Sequence, residues 1–188
     1  MVNINLDEKL IRSKVIKAYL GNDKCFCFSC GNATKALQNA GVNVIAVSPK
    51  DAINATRYVS PLEATKLFNC FDATPGNLPI YMIKDIAAEI KKVLPRKIIE
   101  SSAPIYIPTG SGETLLAMSF IFPISRLRAV VDIEDTNSPI FFSEEYSPLF
   151  HFIRRNFQVV ELLQLNKATG FFISKGRKNY QNYQKKPK

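Results

Sequence analysis

APIYIPTGSGETLLAMSFIFPISRLRAVVDIED, Ala103 to Asp135, is the stretch whose reading decides the fold. Ile105, Tyr106 and Ile107 form a short apolar run of strand type. Thr109-Gly110-Ser111-Gly112-Glu113-Thr114 is a turn of small residues, Leu115 to Phe122 reads as a helix, and Leu127 to Ile133 as a second strand. Strand, glycine turn, helix and strand make a β-α-β unit. Such a turn lets backbone approach an anion, and the N–H groups of the following helix point at it. If the chain binds a phosphorylated ligand, its phosphate is expected here; the other reading is a tight turn that only connects two elements.

A second unit of the same design lies upstream. KCFCF, Lys24 to Phe28, is apolar on both faces, as a central parallel strand requires. Ser29-Cys30-Gly31-Asn32 is its turn, Ala33 to Asn39 a helix ended by Gly41, and Val42 to Val47 the next strand. Asp7 to Leu20 is a helix before it, with Leu10, Ile11, Val15, Ile16 and Tyr19 at helical spacing. Pro61 to Phe68 is a helix opened by proline, Asn69 to Leu78 a loop rich in turn residues, and Pro79 to Leu94 the longest amphipathic helix. In that helix Ile80, Ile83, Ile86, Ala87, Ile90 and Leu94 share one face. Farther on, Ser147 to Asn156 reads as a helix, with strands over Gln158 to Leu163 and Thr169 to Ser174. The fold class is α/β: an open, mostly parallel sheet with helices on both faces, a single domain over 1–174. Ligands in such sheets bind outside the carboxyl ends of the strands, where both turns sit. Two loops facing one crevice are expected to make the site.

The formal charge is +9, and 46% of the 188 residues are hydrophobic, enough for a real core. The tail KGRKNYQNYQKKPK, 175–188, holds six basic residues and no acid, so removing it leaves +3. A solvated basic tail of this kind can touch nucleic acid or another polyanion without specificity. No apolar run reaches membrane-span length and no signal-peptide core is present, which predicts a cytoplasmic protein that does not enter membranes. Of the four cysteines, Cys25, Cys27 and Cys30 fall on or just after one strand and cannot all converge. They read as reduced thiols, without a disulfide framework or zinc site. His151, the single histidine, cannot by itself make a histidine metal site. The apolar run Ile140 to Phe142 fits either a dimer contact or a core segment.

These pieces resemble, in order, the fold-type II pyridoxal-phosphate enzymes, the group of cysteine synthase, threonine synthase and the tryptophan synthase β chain. Ser29-Cys30-Gly31-Asn32 with its helix and strand is similar to the family's Ser-Ser-Gly-Asn turn. Asn77 to Ile90 resembles the segment from an Asn through a helix to a Glu-Ile pair. Gly110 to Thr114 resembles the phosphate loop, and Leu127 to Glu134 the strand after it. The match covers roughly residues 5 to 140, in a form shorter than a typical member. The resemblance implies pyridoxal phosphate as cofactor, with Gly110, Ser111, Gly112 and Thr114 on its phosphate and Asn32 beside the ring. Ser29, Cys30, Gly31 and Thr34 would take the carboxylate of an amino-acid substrate. Lys9, ahead of Arg12, is the implied Schiff-base lysine, with Lys14 second. Thr169 is the candidate partner of the pyridine nitrogen. Glu113 stands where the family carries glycine. A carboxylate there repels a phosphate dianion by on the order of 1 kcal/mol unless it points to solvent.

The leading expectation is a small enzyme of amino-acid metabolism, a lyase or transferase acting by β-replacement or elimination. Beside it stands a non-catalytic relative that keeps the fold and binds a partner or a phosphorylated metabolite. A third reading is an S-adenosylmethionine- or nucleotide-binding domain, but Ser48 stands where that reading needs a ribose-binding acid.

Overall fold

The structure, a computed structural model, describes residues 1–29, 32–48, 61–135, 138, 140–145 and 147–174. Along the chain its elements are β1 (Val2–Asn5), α1 (Glu8–Leu20), β2 (Lys24–Phe28), α2 (Asn32–Asn39), β3 (Asn43–Val47), α3 (Pro61–Phe68), β4 (Phe71–Asp72) and α4 (Ile80–Val93). Then come α5 (Arg96–Glu100), β5 (Ile105–Pro108), α6 (Glu113–Met118), β6 (Leu127–Val131), α7 (Phe150–Asn156), β7 (Gln158–Glu161) and β8 (Phe171–Ser174). The chain divides into two compact units, Met1–Glu8 with Ala87–Lys188, and Lys9–Ile86.

The contiguous unit, Lys9–Ile86, is built on a three-stranded parallel sheet in the order β3-β2-β4. Its centre is β2, as a strand apolar on both faces must be. Cys25, Phe26, Cys27 and Phe28 are all buried. Phe26 stacks on Phe68 of α3 with ring centroids 5.2 Å apart, and Ala64 joins the same cluster. β2, α2 and β3 form the expected β-α-β unit, with Cys25 opposite Val44 and Cys27 opposite Ala46. The two-residue strand β4 lies inside the stretch that reads as loop. It pairs with β2 at Cys25 and Phe26, and Ala73 N–H extends the ladder to Phe26 O at 2.7 Å. Cys25, Cys27 and Cys70 are free thiols.

The discontinuous unit carries a five-stranded sheet in the order β1-β8-β5-β6-β7, every pair parallel. The first and last strands are neighbours: Val2 lies opposite Phe171 and Asn5 opposite Ser174. β8 therefore enters between β1 and β5. Gly170 makes the entry, at φ +134, and a Cβ there would stand 2.4 Å from Pro104 O. That backbone approach requires glycine. It is fixed by Val2 N–H to Gly170 O at 2.8 Å and Phe171 N–H to Pro104 O at 2.9 Å. On one part of this sheet Val130, Ile140, Leu165 and Phe172 pack together, flanked by Tyr106 and Val160. Ile140 and Phe142 are both buried, so the 140–142 run supplies core side chains.

Several boundaries differ from the sequence expectation. The helix after the glycine turn starts two residues earlier and stops at Met118, not Phe122. Gly112 in the left-handed conformation starts it, and beyond Met118 the chain continues in tight turns toward Pro123. The residue before a proline avoids helical backbone, so Phe122 cannot extend the helix. β6 ends at Val131, and Asp132 N–H turns to Ile140 O at 3.2 Å. In α4, Ile83, Ile86, Ala87, Ile90 and Leu94 are buried as their spacing predicts, whereas Ile80 at the first position is exposed. α1 departs more. Leu10 and Tyr19 face solvent, while Glu8, Arg12 and Ser13 are buried beside Val15 and Ile16.

Candidate functional site: a hydroxyl-lined turn and a filled glycine turn

In the Lys9–Ile86 unit the candidate site forms at the carboxyl end of β2. Ser29 follows the strand directly, and its N–H continues the ladder to Val47 O at 3.0 Å. One helical turn on, Thr34 of α2 brings its hydroxyl to 3.1 Å from that of Ser29. Thr34 is buried and Ser29 half-buried. The Cys27 thiol lies below them. Burial pushes its pKa up, while its hydrogen bonds with Thr34 and Ser29 and the Arg12 charge pull the other way. Asn32 is the first residue of α2 and is exposed. Cys30 and Gly31 lie outside the described residues.

A second loop meets the same strand end. Thr74 Oγ1 accepts the Phe28 N–H at 2.9 Å. Asp72 holds that loop in shape by accepting Thr74 N–H at 2.8 Å and the Asn77 amide at 2.9 Å. Arg12 Nη2 donates to Ala73 O at 2.8 Å across 61 residues. Sequence reasoning treats Arg12 only as a marker for Lys9 and this loop only as a connection. The usable signal is its composition: Asp-Ala-Thr-Pro-Gly-Asn bonds its own backbone readily.

Lys9 is the second residue of α1 and half-buried; Lys14 is exposed. Lys9, Ser29, Asn32 and Thr34 belong to the Lys9–Ile86 unit, and Gly110, Ser111, Gly112 and Thr114 to the other. Thr169 is exposed.

The glycine turn is packed by its own chain. Gly112, at φ +88, faces α7 so closely that a Cβ would stand 2.1 Å from Ile153 Cδ1 and 3.2 Å from Leu149 Cβ. Ser147 Oγ donates to Ser111 O at 3.0 Å. Glu113 does not point to solvent: it is only 3% exposed, in the first turn of α6. Thr114 beside it is also buried. The smallness of Gly112 thus serves a packing contact. A phosphate dianion brought to this turn would meet the buried Glu113 carboxyl, a side chain that the family's glycine does not present. A buried Glu in place of glycine, beside a glycine covered by Ile153, makes this turn a poorer match to the family's phosphate loop than its small residues alone suggest.

Among the described residues no cluster of His, Cys, Asp and Glu could hold a metal ion. Nor, among them, is any helix long and apolar enough to cross a membrane. Compared with protein-family models, with curated proteins and with solved structures, the chain matches none.

Proposed function

We propose that the chain is a non-catalytic relative of the fold-type II pyridoxal-phosphate enzymes that binds a small carboxylate-bearing metabolite of the amino-acid class. The observation that carries this reading is the Ser29–Thr34 hydroxyl pair, 3.1 Å apart at the carboxyl end of a central parallel strand. That is where ligands of open parallel sheets bind. A carboxylate is acceptor-only; one hydroxyl of the pair donates to the other, so a bound carboxylate draws on the remaining hydroxyl proton and the first N–H groups of α2. Hydrogen bonds to an ionised acceptor contribute about 1.5–3 kcal/mol each. The α2 dipole adds to the attraction. Glu113, buried at a position where the family carries glycine, argues against the enzyme form of the same resemblance, because its side chain occupies the turn assigned to phosphate.

The S-adenosylmethionine reading has less support. It needs an acid after the second strand, and the described strands fall into two parallel sheets of five and three.

The test is calorimetric titration of the full chain with L-serine, alongside Thr34→Val and Ser29→Ala. Each variant is expected to bind about tenfold or more weakly, the value of one charge-assisted bond. Equal affinity in all three chains removes the turn from the site. Violet absorption after addition of pyridoxal phosphate, with a borohydride-fixed adduct on Lys9, overturns the non-catalytic reading. A rise in melting temperature with S-adenosylmethionine and none with L-serine would favour the nucleotide-type alternative.

A further inference from the structure

Arg12 is the only buried basic side chain among the described residues, with 4% of its surface exposed. Burying a guanidinium is costly unless its donors are matched, so such a residue is retained for what it holds. One group it holds is a backbone carbonyl, Ala73 O, at 2.8 Å. Ala73 sits between the two ends of a short relay. On one side its N–H completes the β2 ladder at Phe26 O. On the other, Thr74 accepts the Phe28 N–H, the last backbone donor before Ser29. Asp72 and Asn77 fix the loop internally.

The geometry points to Arg12 as the positioning residue of the Ser29–Thr34 turn. From α1 it clamps the 72–77 loop, and through Thr74 that loop fixes the backbone from which Ser29 projects. The role in ligand binding rests on the carboxylate reading above; the clamp itself does not. The planar fork suits this task better than an ammonium. It presents several donors from one rigid group, whereas lysine offers a point charge on a flexible stem. A relay of this kind acts at a distance: Arg12 need touch no ligand to set the spacing of the two hydroxyls. The Arg12 charge also reaches the Cys27 thiol beneath those hydroxyls, which places guanidinium and turn in one electrostatic neighbourhood.

The experiment is residue-resolved amide hydrogen exchange on the full chain, native and Arg12→Gln, paired with L-serine titration. The expected result is about tenfold or faster exchange at the Phe28 and Ala73 amides, while β5 and β6 keep their native rates. L-serine affinity is expected to fall about tenfold, and Arg12→Lys to recover part of both losses. Should Arg12→Gln fail to fold, Arg12→Lys carries the decision: its Phe28 exchange must lie above native. If the native chain binds no L-serine but Phe28 exchange still responds, the carboxylate reading fails and the clamp stands. Native exchange at Phe28 in every folded Arg12 variant overturns the inference.

Discussion

Replacing Gly170 by alanine tests the architecture at its tightest point. Gly170 sits at φ +134, where L side chains are strained, and a Cβ would stand 2.4 Å from Pro104 O. The backbone conformation alone costs about 1–3 kcal/mol for a non-glycine residue. The obstacle is a main-chain carbonyl in a sheet, so it cannot swing aside as a side chain can. Relief requires moving β8 from β5, which weakens Phe171 N–H to Pro104 O and Val2 N–H to Gly170 O, at about 1 kcal/mol each. The sum is about 3–5 kcal/mol, a large share of a typical domain's 5–15 kcal/mol. The control is Gly21→Ala, because Gly21 also has positive φ, +57, yet has nothing within 4 Å of its would-be Cβ. It should cost about 1 kcal/mol. Urea unfolding followed by circular dichroism reads both, and Gly170→Ala should lower the melting temperature by about 10 °C or more. Equal losses in the two variants would refute the close approach of β8 to Pro104.

Two further predictions concern buried groups. Burial pushes the Cys25 thiol up to about 12. Its folded pKa lies above the unfolded value, so its contribution to stability is complete below pH 9 and is lost as pH rises from about 9 toward 12, at up to about 1.4 kcal/mol per pH unit. Urea midpoints from pH 8 to 10.5 should fall more steeply for the native chain than for Cys25→Ala; parallel curves would remove Cys25 as the cause. Phe142 is buried and lies against the Phe150 ring at 4.9 Å. Phe142→Ala should therefore cost about 3–5 kcal/mol in unfolding without changing the sedimentation coefficient of the folded chain. A changed oligomeric state at native stability would mark the 140–142 run as an interface after all.

What the sequence made legible was local. The two-faced apolar pattern of Lys24 to Phe28 places a central strand correctly, because a period of two with no polar face has few other homes. The buried stripe of α4 follows from its 3.6-residue spacing. Both β-α-β pairings were readable because strand, turn and helix are contiguous. What escaped was set by distance. Nothing near Val2 announces that it pairs with Phe171. Nothing near Phe71 and Asp72 marks two residues as a strand until β2 lies beside them. α1 misled because burial of Arg12 depends on a carbonyl 61 residues away, whereas its apolar residues suggest a different inward face. At the candidate site, the Ser29–Thr34 pair was visible as a small-residue turn. Gly112 reads locally as part of an anion turn, and its packing against Ile153 could not be read there because the partner lies on a distant helix.

The neighbouring of β1 and β8 has a consequence for how the protein is made. Lys9–Ile86 is continuous in sequence, so all its strands are synthesised before β5 to β8. The five-stranded sheet is not continuous in this way. Until residues 171–174 emerge, β1 has no partner and β5 offers an unpaired edge. Closing that gap joins segments about 170 positions apart, the slow kind of contact. The nascent chain thus carries an open sheet edge, and that edge is where chaperones or self-association would act first.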